Sequence, residues 1–338
     1  MKKFLVLSAL AAMLASGTAL ADTSDKKIAF SNNYAGNSWR QAMLKSYDAV
    51  TKKAVADGVV AASDVFTTAD QEVPTQAAQI QNLILQGYDA IVINASSPDA
   101  LNGAVKQACD AGIVVVSFDG LVTEPCAYRV VVDFEDMGRQ EVEQMKAFHP
   151  EGGNLLEIRG LAGTSIDDAI HKGILAGVEA NPQFKIVNSV TGNWDQTTAQ
   201  KAVATVLPSL PDIVGIVTQG GDGYGAAQAF AAAGKPRPTI IMGNRQDELQ
   251  WWKEQKEKDG YKTWSASIAP GVSSLAFWVA QQVLDGRTDI PHDMLVPYLA
   301  FTQDDFEAAL PKIEVGSVAS AEYTQEDAIK AIEANIKK

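Results

Sequence analysis

A chain of 338 residues with 41 acidic against 28 basic side chains carries a formal net charge of −13. Such an acidic polymer is repelled by phosphate backbones, and no basic cluster offsets the charge, which excludes nucleic acid as a partner. Two cysteines and three histidines that share no motif, His149, His171 and His292, supply no ligand set for zinc or another metal.

In chain order, the first feature is a processing segment. Lys2 and Lys3 precede an apolar run over residues 4–14, and Ala19-Leu20-Ala21 places small residues where a signal peptidase reads them. The run is too short to span a bilayer, and Ser16, Gly17 and Thr18 interrupt it. No cysteine near the site invites a lipid anchor. Cleavage after Ala21 is expected, giving a soluble protein outside the cytoplasm that starts at Asp22. The 317 residues left carry a net charge of −15, because two lysines and no acid depart. That length exceeds a usual single core, so two domains are expected.

Apolar runs then alternate with helical patterns. Residues 27–31 read as a buried strand and 38–56 as a helix with Trp39, Met43, Leu44, Tyr47 and Val50 at helical spacing. A strand at 59–66 is followed by a helix through Ile80, Leu83 and Ile84 that stops at Gly87. After a strand at 89–94, Ser97-Pro98-Asp99 starts a helix with proline in its first turn and an acid at its positive end. This helix runs to Gly112, and 113–118 is a strand of nearly continuous β-branched residues. Cys109 and Cys126, late in one helix and beyond the next strand, are expected to form a disulfide worth about 3 kcal/mol. The rhythm restarts with strands at 154–158, 185–190, 213–218 and 239–242, each followed by a helix. One more strand at 263–268, a helix at 273–284 and a surface helix at 326–336 complete the sequence. Continuous apolar strands between helices imply parallel sheets covered on both faces.

Ligands of open parallel sheets bind beyond the carboxyl ends of the strands. The residues there are Asn32, Asn33, Tyr34, Asn37 and Trp39, then Asp119; in the second half, Arg159, Thr164-Ser165, Asn193-Trp194-Asp195, Gln219 to Asp222 and Asn244-Arg245. Amides, carboxylates, arginine and tryptophan suit a neutral polyhydroxylated ligand: polar groups match hydroxyls, and indole faces cover C–H surfaces. Trp39 lies on an apolar helical stripe and serves a core equally well, whereas Trp194 sits in a polar run. Asp119 ends an apolar strand, where an unpaired carboxylate is costly. Asn32 and Asn33 also suit a turn. Gly220-Gly221-Asp222-Gly223 lacks the Lys-Ser/Thr ending of a P-loop and the dinucleotide spacing, and Asp222 repels phosphate. Its glycines read as close backbone approach to a ligand. No nucleophile with a base and no cofactor loop is present, so neither an enzyme nor a cofactor is expected.

Gly160-Leu161-Ala162-Gly163-Thr164-Ser165, the strand entry at 87–94 and the run 113–119 resemble the periplasmic ribose-binding protein family of ABC sugar importers. The resemblance spans about residues 27–300. It implies an α/β protein of two open parallel-sheet, Rossmann-like lobes joined by a three-crossing hinge, the type I periplasmic-binding-protein architecture. The crossings fall near 133–135, 268–270 and 295–298. The lobes are then 22–133 with 269–296, and 134–268 with 297–320, leaving 321–338 as a C-terminal surface helix.

The family's first ligand loop, Asn-Pro-Phe-Phe, corresponds to Asn37-Ser38-Trp39-Arg40. Its aspartate after the fourth strand is Asp119, but the following arginine is Gly120 here. The helix arginine after Gly-Thr-Ser falls near Ile170, with Asp167 and Asp168 one turn earlier. Trp194 matches the stacking phenylalanine. Gln219-Gly220-Gly221-Asp222 matches Gln-Asn-Asp with one insertion, Gly243-Asn244-Arg245 matches Gly-Phe-Asp, and the hinge glutamine lies near Ser267. The expected ligand set is Tyr34, Asn37, Ser38, Trp39, Asp119, Thr164, Asp168, Trp194, Gln219, Asp222, Asn244, Arg245 and Ser267. With the polar contacts so reshuffled, a sugar or polyol other than ribose is expected. The resemblance implies a monomer that delivers it to a membrane permease of an ABC importer. A sensory protein presenting its ligand to a chemoreceptor or kinase shares fold and pocket.

Overall fold

The computed structural model describes residues 22–69 and 72–337; the signal segment at 1–21 lies outside the described residues. The chain opens with β1 (Lys27–Asn32), α1 (Ser38–Ala56), β2 (Ala62–Thr67), α2 (Val73–Leu85), β3 (Ala90–Asn94), α3 (Asn102–Asp110), β4 (Val114–Phe118) and β5 (Tyr128–Val132). It continues with α4 (Phe134–Phe148), β6 (Gly153–Arg159), α5 (Ser165–Ala180), β7 (Phe184–Thr191), α6 (Gln196–Val206), β8 (Gly215–Val217), α7 (Gly223–Ala232), β9 (Thr239–Ile240), α8 (Gln246–Asp259) and β10 (Ser265–Ser267). The remainder is α9 (Val272–Leu284), β11 (Asp293–Val296), β12 (Leu299–Phe301), α10 (Phe306–Ala309) and α11 (Gln325–Ile336).

The first lobe is a parallel sheet in the order β11-β5-β4-β3-β1-β2. β3 shows why its strands are apolar at every position. Ala90 and Val92 pack into the core shared with α1 and α9, while Ile91 and Ile93 face the core under α2 and α3. A strand buried on both faces shows no polar alternation. The second lobe holds β7-β6-β8-β9, also parallel, and a Met242–Ser265 bridge carries this sheet on to β10 and antiparallel β12.

The polypeptide passes between the sheets three times: from β5 into α4, from β10 into α9, and from β11 into β12. Two crossings are braced together where the Tyr298 hydroxyl donates to Asp136 at 3.1 Å. Cys109 and Cys126 are joined by a disulfide.

Several expectations about elements need correction. α3 starts at Asn102, not at Ser97-Pro98-Asp99, because residues 98–101 form turns. The strand expected at 59–66 begins only at Ala62, and the one expected at 213–218 is trimmed to Gly215–Val217. β5 and β11, absent from the expected strands, are paired strands of the first sheet. Among the described residues, no helix is long and apolar enough to cross a membrane.

Candidate functional site

The carboxyl ends of both sheets face one cleft. On the first-lobe side, Asn37 caps α1 by accepting from the Arg40 backbone N–H at 2.8 Å, which fixes the first helical turn. That turn sends two side chains inward. Trp39 Nε1 donates to the Ile268 carbonyl at 2.8 Å, seating the indole against a crossing segment. Buried Arg40 meets Asp119 at 3.1 Å, and Asp119 also accepts from Asn94 Nδ2 at 3.0 Å. Burial holds the Asp119 carboxyl above its ordinary pKa, and Arg40 pulls it back. A guanidinium beside Asp119 is therefore supplied from α1. Arg40 stands one residue beyond Trp39, and the need of a buried Asp119 for a cation was the signal that could have found it.

On the second-lobe side, Gly160 leaves room for two ligand candidates. A Cβ there would lie 2.3 Å from the Trp194 ring and 2.5 Å from Gln219 Oε1. Gln219 Nε2 donates to the carbonyl and carboxylate of Asp167, at 3.0 and 2.8 Å, and its buried Oε1 has no protein partner. Such an acceptor awaits a donor. Arg245 Nη2 donates to the Trp194 carbonyl at 2.6 Å. Behind Arg245 lie the buried carboxyls of Asp222 and Glu248, the latter accepting from the Gly223 and Arg245 backbones at 3.0 and 3.3 Å. Burial pushes Asp222 well above the usual carboxylate range; Arg245 draws it down, and Glu248 and Asp195 raise it further. Arg40 is thus matched by Asp119, while Arg245 stands within electrostatic reach of the buried Asp222 and Glu248 carboxyls.

The cleft holds two adjoining compartments, with Asn37, Arg40, Ile166 and Trp194 in the walls of both. The inner one brings together Asn37, Trp39, Asp119 and Ser267 with Trp194, Gln219, Asn244 and Arg245. Tyr34 and Thr164 line the outer one. Three expected residues line neither. Ser38 sits in the first turn of α1 with a buried hydroxyl that has no protein partner, and Asp168, 72% exposed at its side chain, pairs with Arg159 at 3.2 Å. Asp222 is fully buried beside Gly192, with its carboxylate sealed from the cavity.

Asn244 has both ends of its amide engaged, donating to the Leu299 carbonyl and accepting from the Ser265 hydroxyl, each at 2.7 Å. Sequence reasoning passed over the apolar wall of the inner compartment, Phe134, Met137, Ile166 and Ile170, because such residues at helical spacing read as core. Among the described residues no group of acids, histidines or cysteines is placed to hold a metal.

Residues 28–288 match the family described as periplasmic binding protein domain. The chain belongs to this family. Its solved likenesses include an ABC transporter solute binding protein from Thermobispora bispora, 34% identical with a TM-score of 0.86, covering 93% of this chain and 96% of that one. A xylitol-binding protein from Mycolicibacterium smegmatis is 28% identical over 258 residues, 74% of this chain and 71% of the relative. A ribose import binding protein from Salmonella typhimurium is 25% identical over 215 residues, covering 63% and 71%. A periplasmic binding protein works by holding a solute, and the two-lobed cleft is built for holding.

Proposed function

We propose that this protein captures an uncharged sugar or polyol between its lobes in the periplasm and delivers it, as a monomer, to the permease of an ABC importer. The observation that carries the reading is the composition of the inner compartment. Two indoles, Trp39 and Trp194, come from opposite lobes, and between them stand the Arg40–Asp119 ion pair and Arg245, which donates to the Trp194 carbonyl. Indole faces cover the C–H surfaces of a sugar ring or an open polyol, while Asp119, Arg245 and the open Gln219 Oε1 address hydroxyls. The naming of xylitol and ribose among the relatives supports the same ligand class.

A thermal-shift screen of the protein lacking residues 1–21 against pentoses, hexoses, deoxysugars and polyols tests this reading. A true ligand at a hundred times its dissociation constant stabilises by about 2.7 kcal/mol. Asp119→Asn should then weaken the hit at least tenfold, since a hydrogen bond to a charged group contributes about 1.5–3 kcal/mol. No shift with any polyhydroxylated compound, or unchanged affinity in a folded Asp119→Asn protein, removes the assignment at the corresponding level.

A further inference from the structure

The inner compartment is chemically two-sided. Its polar lining includes Arg40, Asp119, Gln219 and Arg245, and beside these lies a wall of Phe134 and Met137 from α4 with Ile166 and Ile170 from α5. Each pair shares one helix face, at spacings i, i+3 and i, i+4. Backbone contact between the helices makes the two faces one surface. A Cβ on Gly138 would lie 2.2 Å from the Ile170 carbonyl oxygen, and one on Gly173 would lie 2.0 Å from that of Glu135. Neighbouring polar groups on these helices are engaged elsewhere. Glu135 holds Lys172, Asp136 takes the Tyr298 hydroxyl, Asp167 holds Arg159 and Gln219, and His171 meets Glu157.

A ligand hydroxyl pressed against these four side chains gains no hydrogen bond from them and loses its water. We propose, resting on the sugar-or-polyol reading, that the ligand is a deoxy compound: a hydroxylated ring or open-chain polyol with a terminal methyl group against Phe134, Met137, Ile166 and Ile170. A methyl there removes apolar area from water without stranding a polar atom. Its hydroxylated edge meets the unpartnered Gln219 Oε1 and the Arg40–Asp119 pair. Ile170 is then a specificity-determining residue.

The experiment uses matched sugars that differ by one terminal hydroxyl: L-fucose against L-galactose, L-rhamnose against L-mannose, and D-fucose against D-galactose, by calorimetry on the wild-type protein. In the pair that binds, the deoxy member should bind roughly tenfold to a hundredfold tighter, the range set by leaving one buried hydroxyl unsatisfied. Ile170→Thr should shrink that ratio by giving the hydroxyl a partner. Because the ratio is read first on the wild type, a variant that fails to fold leaves the main result intact. Equal or tighter binding of the hydroxylated member overturns the inference. So does the failure of all six sugars while xylitol or ribose binds, an outcome that leaves the broader reading standing. Failure of every polyhydroxylated compound removes both.

Discussion

Among the described residues, the non-glycine positions with left-handed backbone are Asp119, Asn193 and Trp194, with φ of 56°, 57° and 54°, and all three stand at the cleft. Each such conformation costs on the order of 1–3 kcal/mol and persists only where surrounding structure enforces it. Asp119 is held by Arg40 and Asn94, and Trp194 by Arg245 and the space over Gly160.

Asp222 strains the fold by a different route, as a buried carboxyl whose pKa lies well above its ordinary 3.8. A group bound more tightly to its proton in the folded state favours folding fully below the unfolded pKa. That contribution fades as pH rises through the folded pKa. The gap in stability between Asp222→Asn and wild type should therefore shift in favour of the variant from about pH 4 to about pH 8, read by urea denaturation. A gap independent of pH would show that Asp222 titrates normally. The sequence made Asp119 and Trp194 readable because each follows a strand end. It could not separate Asp222, sealed behind Arg245, from residues that line the cavity, since both occupy the same kind of loop.

At the scale of elements, the seam between α4 and α5 sets the inner wall of the cleft. Gly173→Ala would press a methyl onto the Glu135 carbonyl, a backbone group with no rotamer in which to swing away. It should destabilise by about 1–3 kcal/mol, the usual range for overpacking. Gly103, in α3, has nothing within 4 Å of an added Cβ. Gly103→Ala should stabilise by up to about 1 kcal/mol through helix propensity. Denaturant midpoints that moved in the same direction for both would contradict this packing. Helices and doubly buried strands were legible because helical spacing and continuous apolar runs are both local signals. Sheet order was not, since nothing within Tyr128-Arg129-Val130-Val131-Val132 tells which distant segment will lie beside it. The α4–α5 seam was equally hidden, because Gly138 and Gly173 gain their meaning only from each other's helix.

For the whole molecule, the expected working motion is closure. Arg40 and Asp119 come from one lobe and Gln219 and Arg245 from the other, so a single ligand satisfies both sets only when the lobes are together. Saturating ligand should reduce the radius of gyration of an initially open protein in solution scattering. Trp194→Ala should blunt the effect by weakening binding while each lobe stays folded. An unchanged scattering profile at saturation would mean that one lobe holds the ligand alone.

The pairing of β11 with β5 joins Asp293 to Arg129, 164 positions earlier in the sequence. A polypeptide emerging from its N-terminus therefore completes β5 long before the strand that will cover its outer edge exists. Until then an apolar strand edge stands open to any polypeptide that can add to it. Contacts so far apart in sequence also slow folding, because the loop must close before the pairing rewards it. The first lobe thus waits for the second to be made, and the open β5 edge is where premature association during synthesis should begin.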